Sequence, residues 1–231
     1  MDKVLVVDDE KEIVRLIRDF LQIYAIEIIE AYSGEEALAK LDESIKLVIL
    51  DVGMEGMSGI DTCKKIREIT NIPVIFLSAK ASQSDKVLGL GVGSDDYMTK
   101  PFDPIELVAR VKANIRRYDD YNGRTVCEPD ETIHLGPLTI YPGHYRVLKD
   151  GIPVSLTCKE FELFLYLVKN SGLVMTKEQI LNKVWSNNTY DYNVVTTNIK
   201  RLRKKIEKDP DNPKYIKTVW GVGYVFERSI L

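Results

Sequence analysis

Apolar residues follow two different spacings in the first half of the chain. Short apolar runs occur near Tyr97 and at residues 4–7, 26–29, 47–50 and 74–77. Between them lie segments with the spacing of amphipathic helices, at about residues 10–23, 34–42, 59–69, 84–91 and 104–117. Three of the runs are apolar without interruption, as expected of strands buried on both faces. The alternation predicts an α/β domain with a flavodoxin-like, doubly wound sheet of five parallel strands.

The second half has a different pattern, which begins after a polar segment at residues 118–132. Short strand patterns at residues 138–141, 145–148 and 153–156 precede three helices, of which the first two begin after Thr157 and Thr176. The third helix is expected from about Tyr192 to Lys208, and residues 216–226 have the pattern of a hairpin. This order predicts an α+β winged-helix domain. We therefore divide the chain into residues 1–117, a flexible linker at 118–132 and residues 133–231.

Composition and charge narrow the class of protein. The chain has 231 residues, of which 45% are hydrophobic and 29% charged, so it can bury two cores and is not disordered. It has no apolar run of membrane-spanning length and no signal-peptide pattern, so we expect a cytoplasmic protein without membrane contact. Three scattered cysteines and two histidines argue against a disulfide framework and a zinc site. Acidic residues prevail in the first half, whereas basic residues cluster at 200–208.

Acidic side chains follow two of the predicted strands. Asp8 and Asp9 come directly after the first strand, and Asp51 comes directly after the third. In a sheet of order 2-1-3-4-5 these strands are neighbours, so the carboxylates should meet at the carboxyl edge of the sheet. Like charges this close require a counter-charge, and Mg²⁺ prefers such oxygen ligands.

Two further polar residues should reach the same edge: Ser78 at the end of the fourth strand and Lys100 after the fifth. A carboxylate nucleophile beside a metal ion and an ammonium group is the arrangement of a phosphoryl-transfer site. Asp51 is the expected nucleophile because it stands alone on its strand, while Asp8 and Asp9 form the metal-binding pair.

Five segments of the sequence match motifs of one known family. They are VLVVDDE at 4–10, LVILDVGMEGMSG at 47–59, VIFLSA at 74–79, GSDDYMTKPF at 93–102 and TVWGVGYVF at 218–226. The first four resemble the receiver domain of bacterial two-component response regulators. The whole layout resembles the OmpR/PhoB family, and it looks closest to VanR-type regulators of glycopeptide-resistance operons. The resemblance implies a transcription factor that a sensor histidine kinase phosphorylates on Asp51.

The resemblance also implies roles for residues around Asp51. Mg²⁺ would be held by Asp9, Asp51 and the carbonyl of Gly53, with Asp8 acting through water. Lys100 would pair with the phosphoryl group, before a cis peptide bond to Pro101. Ser78 and Tyr97 would form the switch that responds to phosphorylation. The only turnover expected is Mg²⁺-dependent self-phosphorylation from a phosphodonor and autodephosphorylation.

The family forms a symmetric dimer through a charged face, and it binds tandem half-sites in promoter DNA. The resemblance implies such a homodimer on phosphorylation, with RNA polymerase as a further partner. The corresponding residues here are Lys86, Asp95, Asp96, Glu106, Arg110 and Arg117. Charge alone would make this face ordinary solvated surface, although its mixed charges suit a two-fold interface.

The helix from Tyr192 to Lys208 is the candidate DNA-reading element. Its apolar stripe should face the domain core, and the opposite face should carry Asn193, Val194, Thr197, Asn198, Arg201 and Lys204. Arg201 and Asn198 are the expected base readers, and Lys200 is expected to contact phosphates. In the hairpin, Lys217 and Trp220 are the candidate contacts, since Trp220 replaces the arginine that the family commonly places there. The alternative is that this basic helix is only solvated and does not contact DNA.

Two other function classes fit the sequence less well. A phosphatase would need an acid–base carboxylate two residues after its nucleophile, and that position is Gly53. A phosphorylation-independent scaffold would be expected to lack part of the acidic pocket. The loop after Asp51 departs from the family at Gly53 and at Glu55, where the family usually has a bulkier residue and a proline. We therefore expect this loop to be more open to water.

Overall fold

The computed structural model describes residues 2–79, 94–121, 132–185 and 192–228, with side chains omitted at 120 and 121. The chain divides into two compact units, Met1–Tyr118 and Asp119–Leu231. The predicted helix at 84–91 and linker residues 122–131 lie outside the described residues.

The first unit is a five-stranded parallel sheet with helices on both faces, which confirms the predicted fold. Its strands are β1 (Asp2–Val7), β2 (Ile26–Ala31), β3 (Ile45–Asp51), β4 (Val74–Ser78) and β5 (Asp96–Thr99), in the order β2-β1-β3-β4-β5. The described helices are α1 (Lys11–Ile23), α2 (Gly34–Lys40), α3 (Gly59–Ile69) and α4 (Pro104–Tyr121). Helices α1 and α4 contribute to one apolar core, and α2 and α3 to the other.

Local sequence determines where α3, the helix that follows β3, begins. Ser58 caps α3 by accepting a hydrogen bond from the amide of Asp61. The next residue must be Gly59, because a Cβ there would lie 1.9 Å from the carbonyl oxygen of Asp51. This close approach packs the start of α3 against the end of β3, and it thereby supports the backbone that carries Asp51.

The second unit has the predicted winged-helix plan. An antiparallel sheet is formed by β6 (Ile133–Leu135), β7 (Leu138–Tyr141), β8 (Arg146–Lys149) and β9 (Ile152–Pro153). Helices α5 (Cys158–Lys169), α6 (Lys177–Trp185) and α7 (Tyr192–Ile206) follow, with β10 (Val174–Thr176) before α6. Strands β11 (Ile216–Val219) and β12 (Gly223–Phe226) form the C-terminal hairpin, hereafter the wing.

Several element bounds differ from those expected. Helix α4 continues to Tyr121, so the first positions assigned to the linker are helical. Strand β6 was not predicted, because its three residues are too few to show an alternation. Tyr145 does not begin a strand, since it adopts a left-handed conformation with φ of 47° after a turn at Pro142–His144. The capping box predicted at Thr157 and Glu160 is present at the start of α5.

Candidate functional site

The carboxyl edge of the parallel sheet brings together acidic residues from two strand ends. Oxygens of Asp8, Asp9 and Asp51 all lie within 4.8 Å of one another. The Lys100 ammonium nitrogen lies 2.7 Å from Asp8 Oδ2 and 2.8 Å from Asp51 Oδ1. The neighbouring strands β1 and β3 and the end of β5 therefore assemble one pocket from distant parts of the chain.

Backbone amides orient each of the three carboxylates. The amide of Glu10 donates to Asp8 Oδ1 at 3.0 Å, and the amide of Gly53 donates to Asp51 Oδ2 at 2.7 Å. The amide of Glu55 donates to Asp9 Oδ2 at 3.1 Å, across the two loops. This last bond uses an N–H that a proline at position 55 would lack.

Burial affects the pKa values of the charged groups in this pocket. Asp8 is fully buried and Asp51 is 5% exposed. Burial raises the pKa of Asp8, although hydrogen bonds from Lys100 and the Glu10 amide act in the opposite direction. Burial by itself lowers the pKa of Lys100, but Asp51 and Asp8 together outweigh it, so its pKa is raised. Lys100 is therefore held as a cation between two carboxylates.

The other residues expected at this edge lie on β4 and β5. Ser78 is buried at the end of β4, where its register partner is Thr99. Tyr97 is partly buried and packs against the core that α2 and α3 share. The Lys100–Pro101 peptide bond is cis.

The exposed face of α7 is narrower than the sequence indicated. Val194 and Asn198 were expected on this face, but they are 0% and 4% exposed. The Asn198 side chain donates a hydrogen bond to the carbonyl of Val194 within the helix. Both side chains lie on the inner side because the helix buries a wide arc, comprising Val194, Val195, Asn198, Ile199, Leu202 and Ile206. The expectation that Val194 and Asn198 face DNA is therefore wrong.

The remaining residues predicted on this helix are accessible. Asn193, Lys200 and Lys204 are exposed, and Thr197 and Arg201 are partly exposed. Thr196 also lies on this face and was not singled out from the sequence. The spacing of Thr196, Lys200 and Lys204 by four residues was the signal for this stripe.

Comparison with known proteins identifies the two units. Residues 4–112 match the response regulator receiver domain, and residues 151–226 match the C-terminal domain of transcriptional regulatory proteins. The Thermotoga maritima response regulator DrrB, an OmpR/PhoB homologue, is 37% identical over 98% of this chain and 99% of that chain, with a TM-score of 0.50. The chain belongs to the OmpR/PhoB family of response regulators. It therefore combines a receiver with a winged-helix DNA-binding domain of a transcription regulator.

Two structures of another protein match nearly the whole chain. They are mutants of RitR in which one cysteine is replaced by aspartate or by serine, and each is 25% identical over 99% of this response regulator and 100% of the RitR chain. Their TM-scores are 0.69 for the aspartate mutant and 0.70 for the serine mutant. Within the described residues of this response regulator, no helix has both the length and the hydrophobicity needed to cross a bilayer.

The acidic pocket of the receiver fits a magnesium ion. Three carboxylates supply hard oxygen donors within 4.8 Å of one another, which is the ligand type that Mg²⁺ prefers. Asp9 is exposed, so water has access to one side of the cluster. Asp8 and Asp51 face inward and Asp9 faces solvent, and this open arrangement suits an ion that keeps several of its waters.

The charged face of the receiver is largely paired within the chain. Arg110 lies 2.6 Å from Asp96 and 2.7 Å from Glu106. Asp95 was expected on this face, but it is 2% exposed, lies 2.7 Å from Arg67 of α3 and accepts the amide of Val74. Its expected place in an intermolecular ion pair is therefore wrong. The Arg117 guanidinium donates to Asn114, and Lys86 lies outside the described residues.

A groove of about 690 Å³ separates α7 from the wing in the DNA-binding domain. Cationic side chains from α6 and α7 line it, and Trp220 stands on the wing side. Trp220 is 90% exposed, which excludes a core position. Arg203 ties the two walls together by donating to the Ile216 carbonyl and to Thr218 Oγ1. Lys217 is ion-paired with Glu227 on the same hairpin.

Proposed function

We propose that this chain is a cytoplasmic response regulator that a sensor histidine kinase activates by phosphorylating Asp51. The observation that carries the proposal is the Asp51 carboxylate, held between the Lys100 ammonium and the Gly53 amide beside two further acids. The kinase's phosphohistidine would supply the phosphoryl group. An Asp51 oxygen forms the new P–O bond as the P–N bond breaks, and the histidine nitrogen retains the electron pair.

The chain's own residues perform the steps around this transfer. Lys100 neutralises charge on the Asp51 side of the transferring group, and the buried Ser78 hydroxyl lies on the neighbouring strand end. Asp9, Asp51 and the Gly53 carbonyl would hold Mg²⁺, with Asp8 acting through water. When bound there, Mg²⁺ would supply positive charge that neutralises the phosphoryl oxygens. Hydrolysis of the acyl phosphate by water returns the resting state, and no other turnover is proposed.

We infer that phosphorylation is read out through the charged face of the receiver. Arg110 is already paired with Asp96 and Glu106 inside one chain, so a dimer would exchange these partners between subunits. The proposed interface also includes Arg117 and Lys86. It does not include Asp95, because this residue is buried. The dimer would place two winged-helix domains on tandem promoter half-sites, where RNA polymerase is the proposed further partner.

In the DNA-binding domain, the exposed face of α7 is proposed to enter the major groove. Lys200 and Lys204 would contact phosphates, and Arg201, Asn193 and Thr197 would lie toward the bases. The target genes are proposed to concern the cell wall or glycopeptide resistance, on the resemblance to VanR-type regulators alone. Sequencing of genomic fragments that the chain retains would identify these genes directly.

The test uses acetyl phosphate and Mg²⁺ with the full chain, and Asp51→Asn as its control. We expect a mass increase of one phosphoryl group on the wild type and none on the variant. Gel filtration should then show a dimer, and a DNA shift should strengthen. An equal mass increase on Asp51→Asn would remove Asp51 as the acceptor. Unchanged elution and DNA binding after complete phosphorylation would remove the switch.

A further inference from the structure

The wing of this chain presents a large apolar surface to solvent. Trp220 is 90% exposed at the hairpin tip and Val222, two residues on, is 50% exposed. Gly221 between them has φ of 77°, a left-handed conformation that glycine adopts without strain. The Val222 amide donates to the Val219 carbonyl at 3.0 Å, so the turn is closed. The tip is thus a preorganised apolar projection.

The same hairpin brings no net charge to this surface. Residues 218–226 contain no charged side chain. Lys217, which directly precedes this segment in sequence, is paired with Glu227 across the hairpin. Arg203 of α7 contacts the base of the hairpin, through Ile216 and Thr218, and not its tip. In contrast, the part of the groove outside the hairpin is lined by three lysines, Lys177, Lys200 and Lys204, and by two acids, Glu178 and Asp211. The lysines that line the groove therefore lie outside the wing, whereas the exposed apolar tip lies on the wing.

We propose that Trp220 makes an uncharged, apolar contact with the sugars and base edges of DNA beside the major groove that α7 occupies. The proposal rests on the proposed DNA-binding function and specifies how the wing contributes to it. A duplex has phosphates on the backbone and apolar deoxyribose between them, and it matches a cationic wall next to an apolar tip. Salt-dependent affinity is then supplied by the lysines of α7, whereas burial of the neutral indole supplies affinity that involves no release of counterions.

The contact also has a consequence for sequence preference. An arginine in the minor groove is attracted by the enhanced negative potential of narrow A-tracts. A neutral indole has no such attraction, so the wing of this chain should not favour A-tracts. Introducing the arginine that the family commonly places here should create that preference.

The experiment compares four full-length proteins: wild type, Trp220→Ala, Trp220→Arg and Lys200→Ala. Each is treated with acetyl phosphate and titrated with a short duplex that the wild type selects from a random library, over a range of salt concentrations. Trp220→Ala should weaken binding about tenfold at every salt concentration, with an unchanged slope. Lys200→Ala should make the slope of log K against log [salt] shallower by about 0.9, and Trp220→Arg should make it steeper by about 0.9.

Other outcomes separate the wing contact from DNA binding as a whole. If Trp220→Ala binds like the wild type while Lys200→Ala is weakened, the wing contact is refuted and the DNA-binding function stands. A loss of affinity with an altered slope would refute its apolar character. Normal DNA affinity with lost RNA polymerase recruitment would make Trp220 a protein contact, which also overturns the proposal. If the wild type binds no duplex at any salt concentration, the function itself fails. Equal thermal unfolding of all four proteins controls for folding.

Discussion

Replacing Lys100 by methionine tests the electrostatic balance of the acidic pocket. The Lys100 ammonium lies 2.7 Å from Asp8 and 2.8 Å from Asp51. At an effective dielectric constant of about 20, each such pair is worth about 6 kcal/mol of Coulomb attraction, which desolvation of the buried groups largely offsets. Methionine keeps an unbranched side chain but leaves two buried carboxylates without their cation. The expected loss is therefore about 3–5 kcal/mol in the free energy of unfolding of the receiver.

Differential scanning calorimetry of the full chain measures this loss as a downward shift of the unfolding transition of the receiver. For a domain of this size the loss corresponds to a fall of about 10–20 °C in the midpoint of the receiver transition. Lys65→Met is the matched control: Lys65 is an exposed residue of α3, and its replacement should change stability by less than about 0.5 kcal/mol. Adding Asp51→Asn to Lys100→Met should restore part of the loss. A Lys100→Met midpoint equal to that of Lys65→Met would refute the reasoning.

Three further changes test other parts of the structure. Gly53→Met should slow dephosphorylation about tenfold, because a Cβ added at position 53 would lie 3.4 Å from Asp51 Oδ2 and the side chain would exclude water. Equal rates of phosphate release from the wild type and the variant would contradict this. Arg203→Ala should destabilise the DNA-binding domain by about 2 kcal/mol, because the variant loses the hydrogen bonds to β11. Urea unfolding would measure this loss, and an unchanged free energy of unfolding would show that these bonds do not stabilise the domain. Tyr32→Phe should cost about 1 kcal/mol at neutral pH in calorimetry, because the Tyr32 hydroxyl lowers the pKa of Glu30. That difference should vanish as the pH falls through the lowered pKa of Glu30, and a pH-independent difference would exclude this origin.

The acidic pocket was predictable because it depends on backbone topology. Asp8 and Lys100 each follow a strand and Asp51 is the last residue of one, and a parallel sheet brings these strand ends to one edge. The predicted order of strands is therefore sufficient to place these residues together. The order of the strands does not predict the contact between the Glu55 amide and Asp9, because this contact joins two loops that have no periodic pattern.

Side-chain burial away from strand ends was less predictable. Asn198 is a polar residue on a basic helix, and its spacing placed it with the exposed residues. It is buried because α7 packs on more than one element, and its amide is satisfied within the helix. The resemblance to the family places Asp95 on the charged dimer face, but its partner Arg67 lies 28 residues away on α3. Pairings this distant in sequence leave no local signal.

The role of Asp51 as the phosphoacceptor is tested most directly by the mass of the receiver peptide that contains it, after reaction with acetyl phosphate and Mg²⁺. We expect one phosphoryl group on Asp51 of the wild type and none on the Asp51→Asn variant, with much slower labelling of the wild type when Mg²⁺ is removed by chelation. Labelling at another residue, or labelling that proceeds equally without divalent cations, would contradict it.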